Sequence, residues 1–346
     1  MHKTIIIFLF IILTIQSAFS QAGRGIYKFL DLPASSRLSA LGGSNVSLND
    51  NDINFGFQNP ALLTAETHNT LGINMANYLA DIKFGSAVYG RTIGAKNYFA
   101  VGMQYVDYGI FKETTVQNEV IGEFTAKDLA ISLIYARPLS EKYSVGATLK
   151  PIYSAYERYT SYGLAMDLGV SYKDSANLFS AGMVLRNIGT QLKGYYADEN
   201  GQHLESLPFN IQLGMTKKFR HAPLRLSFTL HDLQQWDLAY QSTNQPAETT
   251  ATVTDTKKIG FVDMFFRHTI FAAEFVPTKN FYLSVGYNHR RQKEMSMNGF
   301  KSTAGFSFGG GVKIYKFQAG FGMTQFQVGN YSYQFSITTN LNEFRL

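Results

Sequence analysis

From about residue 68 onward the chain alternates between apolar and polar positions. In "LPFNIQLGMTKKF" (207–219), Phe209, Ile211, Leu213 and Met215 share one face, and Asn210, Gln212, Gly214 and Thr216 share the other. In 224–232, Leu224, Leu226, Phe228 and Leu230 oppose Arg225, Ser227, Thr229 and His231. Likewise Phe317, Ala319, Phe321 and Met323 oppose Gln318, Gly320, Gly322 and Thr324, and Leu164, Met166, Leu168, Val170 and Tyr172 oppose Asp167 and small residues. A period of two is the signature of a strand with unlike faces. Each run lasts about ten residues, the ~9–11 that a tilted strand needs to cross a bilayer. Sandwich strands average only about 5–6.

The pattern predicts fourteen strands, near 68–79, 82–93, 97–108, 124–137, 143–157, 162–173, 178–191, 207–219, 223–232, 264–276, 280–290, 301–314, 316–325 and 332–344. The connections after the even-numbered strands are short: "IGAK", "LSEK", "DSAN", "RHA", "PTK" and a turn near Tyr315. Those after the odd-numbered ones are mostly longer (109–123, 192–206, 233–263, 291–300), with a tight exception near Ala80. An even strand number with short turns alternating with long loops describes an antiparallel transmembrane β-barrel. Lys150-Pro151 interrupts one strand, and a β-bulge is expected there, because proline cannot donate to the ladder.

The first residues differ. An apolar core, "IIIFLFIILTI" (5–15), follows a weakly basic start, and Ala18 and Ser20 stand at −3 and −1 before Gln21. This is the form of a secretory signal peptide over 1–20, and the core is too short to span a bilayer as a helix. Its removal would take away Lys3 and lower the formal charge from +6 to +5. There is no cysteine, so neither disulfides nor thiolate metal sites are available. Charged residues make up 16% of the chain against about 25% in soluble domains, while aromatics reach 14%. That shift favours a lipid-facing surface. The basic residues are scattered, which argues against nucleic acid.

Residues 21–67 precede the first strand and contain two short helical words. In "SSRLSALGG" (35–43), Ser35 or Ser36 can cap a helix and Gly42-Gly43 can end it. In "FQNPALL" (57–63), Asn59 caps and Pro60 takes the first helical position. Neither is long enough to be stable alone, so both must pack on something. The segment, beginning on the short-turn side, is expected to fold into the lumen as a plug that includes Arg37, Leu41, Gly42, Gly43, Asn59 and Pro60. Residues 68–346 would then form the barrel.

Candidate chemistry is sparse. "GFSFG" (305–309) matches a nucleophile-elbow pattern, but it lies in mid-strand, where that motif's strand-to-helix turn is missing. Asp50-Asn51-Asp52-Ile53-Asn54 begins like a calcium loop, but its twelfth position is Ala61. The seven histidines make no ligand-spaced pair. No catalytic group, metal or cofactor is expected. Asp167, Arg186 and Arg225 fall on inner faces. The longest loop, 233–263, carries Trp236, the chain's one tryptophan, and Tyr240; Tyr195, Tyr196 and Leu204 lie in 192–206. Trp236 fits either a membrane-boundary belt or a protein-binding anchor, and Trp236, Tyr240, Tyr195 and Tyr196 are the candidate partner-binding residues.

The words "SSRLSALGG", "LNDNDINFGFQNPALL" (48–63), "VLRNIGTQLKGYY" (184–196) and "LPFNIQLGMTKKFRHAPLRLSFTLHDLQQWDL" (207–238) resemble the PorV/PorQ group of FadL-like outer-membrane barrels, nearest its PorQ branch, over residues 21–344. The resemblance implies a non-catalytic component of the type IX secretion system of Bacteroidota. Such a component holds a PorZ-like surface protein to the outer membrane, beside PorU and PorV, which attach cargo to lipopolysaccharide. The alternative is a FadL-type channel for hydrophobic small molecules, which needs a continuous apolar pocket. The predicted inner faces, mostly Gly, Ser, Thr, Asn and Gln, weigh against it. An outer-membrane enzyme would need a nucleophile and base near the rim, and no such pair stands out.

Overall fold

The computed structural model describes residues 25–78, 82–199, 201–238, 260–295, 303–327 and 330–344. The predicted signal peptide, Tyr240 and the loop stretch 241–256 lie outside these residues. In chain order the strands are β1 (Thr70–Asn77), β2 (Lys83–Ile93), β3 (Asn97–Thr114), β4 (Val120–Pro138), β5 (Tyr143–Tyr156), β6 (Tyr159–Asp174), β7 (Phe179–Lys193), β8 (Ala197–Asp198), β9 (Gly201–Gln202), β10 (Asn210–Lys218), β11 (Leu224–Leu230), β12 (Thr269–Thr278), β13 (Phe281–Asn288), β14 (Phe306–Ile314), β15 (Phe317–Gln327) and β16 (Asn330–Asn340). All but β8 and β9, a separate small ribbon, join one closed antiparallel barrel of fourteen strands. The ring closes where β1 pairs with β16, from Thr70↔Asn340 to Asn77↔Tyr333.

The alternation explains the closure. In β10, Leu213 and Met215 are exposed on the outside, while Gln212 and Thr216 are buried inside. In β11, Leu224 and Leu226 point out and Arg225, Ser227 and Thr229 point in. A closed ring leaves no unpaired edge, which a membrane would penalise heavily. Aromatic pairs mark both ends of the wall: Phe99–Tyr135 (5.0 Å) and Tyr143–Tyr172 (5.1 Å) near the short turns, Phe111–Phe124 (5.2 Å) and Tyr287–Phe306 (4.8 Å) near the long loops. Such girdles sit where a barrel meets the two bilayer interfaces.

The long connections hold more structure than their polarity announced. Instead of an open loop at 109–123, β3 and β4 run on as a hairpin past a register shift between Asp107 and Ile110. Residues 264–267, expected as strand, belong to a helix, α2 (Phe261–Arg267), and α3 (His289–Glu294) follows β13. Ribbon β8–β9 lies within 192–206.

Pro151 does not cause a bulge. Ala130↔Ile152 and Leu133↔Leu149 lie in one register, so β5 only skips the rungs at Lys150 and Pro151 on its β4 side. On the β6 side, Lys150↔Ala165 and Pro151↔Leu164 continue the ladder. The missing N–H interrupts the ladder at these two positions and adds no residue. A bulge occurs two strands away. Between Met166↔Ile188 and Leu168↔Leu185, Asp167 of β6 faces both Arg186 and Asn187 of β7. Asn187 takes φ 57°, a left-handed conformation that Asn tolerates better than most residues. Both Arg186 and Asn187 are therefore buried on the inner side.

Residues 25–69 fill the lumen. Helix α1 (Ser36–Ala40) and 3-10 turns at Lys28–Asp31, Ile53–Phe57, Pro60–Leu62 and Ala65–Thr67 make up the segment. Their apolar side chains, among them Leu38, Leu41, Leu48, Ile53, Phe55 and Leu63, form a buried core with Val88, Ala100 and Ile134 of the wall. The direction corrects the expectation. Ile26 N donates to Ser206 O (3.1 Å) at the long-loop end, and Asn69 N donates to Gly90 O (2.8 Å) near the short turns. The described segment therefore threads the lumen lengthwise from the long-loop end, instead of rising from the short-turn side.

Candidate functional site

Both helical words are built as their capping residues dictate. The Ser35 hydroxyl accepts from Leu38 N (3.4 Å), and Gly43 N returns to Leu38 O (3.0 Å) with φ 104° at Gly43. Asn59 Oδ1 accepts from Ala61 N (3.0 Å), with Pro60 at the first position of its turn. The Asn59 amide also donates to Val46 O (2.9 Å) and to Val170 O (3.2 Å) of β6, which fixes the turn to the wall.

The wall makes room for the plug by omitting side chains. A Cβ at Gly102 would meet the Phe57 ring, one at Gly146 the Pro60 backbone, one at Gly169 Asn59, one at Gly182 Val46 O, one at Gly286 the Leu41–Gly42 backbone and one at Gly322 Ser36 O. These notches lie on β3, β5, β6, β7, β13 and β15, so they surround the plug. Interior packing leaves few voids, so a plug seated this closely fits in one way.

Charges complete the seat. Arg37 of the plug donates to Asp50 Oδ2 (2.6 Å) and to Glu274 Oε1 of β12 (3.0 Å). Arg225 of β11 donates to the same pair, Glu274 Oε2 at 2.7 Å and Asp50 Oδ2 at 3.1 Å. Two cations and two anions thus alternate around a ring that spans plug and wall. Asp52 lies 3.5 Å from Arg37, Ser284 donates to Glu274 (3.1 Å), and the guanidinium of Arg37 stacks on Tyr282 (4.4 Å). Asp50 and Asp52, the opening of the calcium-loop word, are thus engaged by Arg37 and by the Asn54 backbone N–H (Asp52 Oδ1, 3.1 Å). Among the described residues, no group of three or more potential metal ligands gathers.

The bulge on β7 builds a second polar centre. Lys150 Nζ lies 2.6 Å from Asp167 and donates to Asn187 Oδ1 (2.9 Å), and Asn187 N donates to Asp167 Oδ1 (2.8 Å). Arg186 reaches the plug instead, donating to Leu30 O (2.9 Å). Toward the long loops, Asp128 accepts from Tyr108 (2.7 Å), Tyr156 (3.1 Å) and Ser154. Beside it Ile26, Tyr27, Phe29 and Leu30 pack on Phe84, Val106 and Ile152. The inner wall is thus not uniformly polar: β2 to β5 present it with large apolar side chains.

The candidate partner residues separate. Tyr195 is half-buried, and its hydroxyl meets Ser154 in the lumen. Tyr196 is exposed and stacks on His203 (5.6 Å). Trp236 is 47% exposed and stacks on Phe261 (5.1 Å) and His268 (5.2 Å). Phe261 and Val262 of α2 are 72% and 66% exposed, giving an aromatic patch beside Trp236 that the sequence reading did not include. Leu238 and Gly260 flank the undescribed part of the loop, and Leu238 is buried, its N–H directed at Met264 Sδ (3.4 Å). His289, Arg267 and Lys293 surround Asp263 on α2 at 3.0, 3.0 and 3.5 Å. Burial opposes its ionisation, but the His289 and Arg267 bonds outweigh it and hold the carboxyl down at about 2. Ser307 is buried at the start of β14, second in the strand instead of in its middle, and no strand-to-helix turn follows it.

No family model matches this sequence, and no curated protein sequence matches it. Solved structures do. The toluene transporter TodX of Pseudomonas putida superimposes with a TM-score of 0.51 at 12% identity, over 90% of this chain and 99% of that one. A CymD monoaromatic hydrocarbon channel gives 0.50 at 15% identity, over 93% and 97%. A Pseudomonas aeruginosa FadL homologue gives 0.49 at 10% identity, over 92% and 100%. At such identities the likeness is one of fold.

Proposed function

We propose that this chain is a non-catalytic outer-membrane barrel, closed by its own N-terminal segment, that anchors an exported protein at the cell surface. It would be a PorQ-type component of a type IX secretion system with a PorZ-like partner. The observation that carries this reading is the seating of the plug. A lumen whose wall is notched with glycine to receive the plug, and pinned to it by the Arg37–Asp50–Arg225–Glu274 ring, serves better as a rigid platform than as a path. Above that platform, Trp236, Phe261 and Val262 present exposed aromatic and aliphatic surface beside the roots of the longest loop. Aromatic anchors of this type dominate protein interfaces.

A second reading, a FadL-type channel for hydrophobic small molecules, rests on the comparisons, which favour it over anchoring: the neighbours are named a toluene transporter and a monoaromatic hydrocarbon channel. The apolar upper lumen around Tyr27 and Phe29 also favours it. An affinity tag near Thr250, gentle extraction and mass spectrometry of what co-purifies separates the two. A stoichiometric exported partner supports anchoring. A lone barrel carrying hydrocarbon or fatty acid overturns it in favour of the channel.

A further inference from the structure

The outside of the wall carries one feature that neither reading uses. Across β6, β7, β10 and β11, one rung of outward side chains runs Tyr172↔Ala181↔Met215↔Phe228. Three are large and the second is a single methyl, so the apolar belt is indented over Ala181. The indentation extends into the next rung toward the long loops as a groove of about 310 Å³ lined by apolar side chains. That is the small end of the range for ligand pockets, about 300–1,000 Å³, and suits a length of alkyl chain rather than a folded molecule.

The end of the groove nearest the short turns is basic. Lys217 follows Met215 on the same outward face, and Arg220 stands in the turn after β10. Their hydrogen bonds go to backbone carbonyls, Lys217 to Asn177 O (2.5 Å) and Arg220 to Ala176 O (2.8 Å). Among the described residues neither has an acidic partner, and Asp174, in the same turn region, is engaged by Lys142 (3.4 Å). Two exposed cations at the mouth of an apolar groove match an amphiphile with an anionic head and an alkyl tail.

We infer that this face is a binding site for one anionic phospholipid, its acyl chain in the groove over Ala181 and its phosphate at Lys217 and Arg220. The inference rests on the outer-membrane reading. In such a barrel the short turns face the periplasm, so the site lies in the leaflet opposite the long loops. Its ligand is therefore a glycerophospholipid and not lipopolysaccharide.

The test uses the full mature chain folded in detergent and freed of lipid. It is then offered equal amounts of phosphatidylglycerol, phosphatidylcholine with the same chains, and rough lipopolysaccharide, and bound species are counted by native mass spectrometry. Wild type should retain one phosphatidylglycerol in preference to the others. The double variant Lys217→Gln/Arg220→Gln should lose that preference by about tenfold or more, from the loss of two cations near the membrane surface. Ala181→Trp should lower retention of both glycerophospholipids, because the ring fills the groove. No preference in wild type, a preference that survives the double variant, retention unchanged by Ala181→Trp, or a preference for lipopolysaccharide would each overturn the inference. Insertion of the same preparations into vesicles, read by heat-modifiable migration, reports separately on the membrane reading. Inserted barrels without lipid preference defeat only the site, and failure to insert defeats both.

Discussion

At the scale of single residues, this barrel is governed by a few inward positions. Arg37 bridges two carboxylates from different parts of the chain, and Glu274 in turn bridges Arg37 and Arg225. Removing one member strands the others in a buried site, which costs about 3–5 kcal/mol where such pairs have been broken. Arg37→Met should therefore lower the unfolding free energy of the barrel by an amount of that order, seen as a lower urea midpoint; an unchanged midpoint would show that the ring does not hold the plug. Gly182→Leu should act differently, because its Cβ would strike Val46 O of the plug while the strand itself tolerates leucine. Overpacking of about 1–3 kcal/mol is expected, taken up by displacement of the plug, with the barrel still folding and conducting more in planar bilayers. At the rim, the folded-state carboxyl of Asp263 titrates at about 2, below the ~3.9 of an unfolded aspartate. Its tie to α3 is thus fully present above pH ~4 and lost as the pH falls through about 2. Proteolytic nicking near α2 should rise as the pH falls from ~4 toward about 2, and Asp263→Asn should abolish that rise. The alternating polar phase exposes Arg225, Arg186 and Asp167 as inward in the sequence. Glu274 in "FAAEFV" and Lys150 in "ATLKPI" follow the same rule. Their partners are not legible, since Arg37 and Glu274 stand 237 positions apart.

At the scale of elements, strand phase and turn length were enough to place all fourteen barrel strands, because a residue facing lipid and one facing the lumen cannot exchange types. The short pieces were harder to read. α2 is seven residues as rich in aromatics as β12 beside it, so local pattern could not separate a helix from a strand extension, and α3 is a short, wholly polar stretch that reads equally as loop. Pro151 removed a rung without inserting a residue, so Pro151→Val should restore one ladder hydrogen bond. A gain of about 0.5–1.5 kcal/mol in unfolding free energy is expected, and a loss would mean that proline's stiffness contributes more than the bond. The bulge at Arg186–Asn187 left no such mark, since an Asn after an Arg is unremarkable until its strand must face Asp167. Deleting 25–45 removes α1 together with Arg37, one of the four members of the ion ring. It should raise single-channel conductance sharply while leaving heat-modifiable migration intact, and a barrel that stays closed would deny the segment its role as plug.

At the scale of the whole molecule, the long-loop end brings together residues from three connections: Tyr196 after β7, Trp236 and α2 between β11 and β12, and α3 after β13. Deletion of 241–254 leaves every described contact of the barrel in place, so folding should be preserved. Retention of the exported partner during purification should fall; undiminished co-purification would remove the loop from the interface. The likeness to hydrocarbon channels extends over nearly the whole chain at 12% identity, which means that one architecture holds with almost none of the sequence in common. Lipid-facing positions accept any large apolar residue, and only the few notches, caps and charges inside are specified individually.

The sequence by itself determined that this chain forms a transmembrane-length barrel with an even strand number, which residues face inward, and that two capped turns precede the first strand. All of these follow from short-range rules: a side chain's alternation along a strand, a hydroxyl or amide reaching an N–H two or three residues on, a turn too short to pass anything but a hairpin. Only the tertiary structure decided which glycine receives which turn of the plug and which carboxylate answers Arg37. It also decided that the segment runs from the long-loop end downward and that the apolar half of the lumen lies on β2 to β5. Those outcomes depend on strands far apart in the chain being brought to one depth by the barrel's register, and no local pattern encodes a register that closes only when the last strand meets the first.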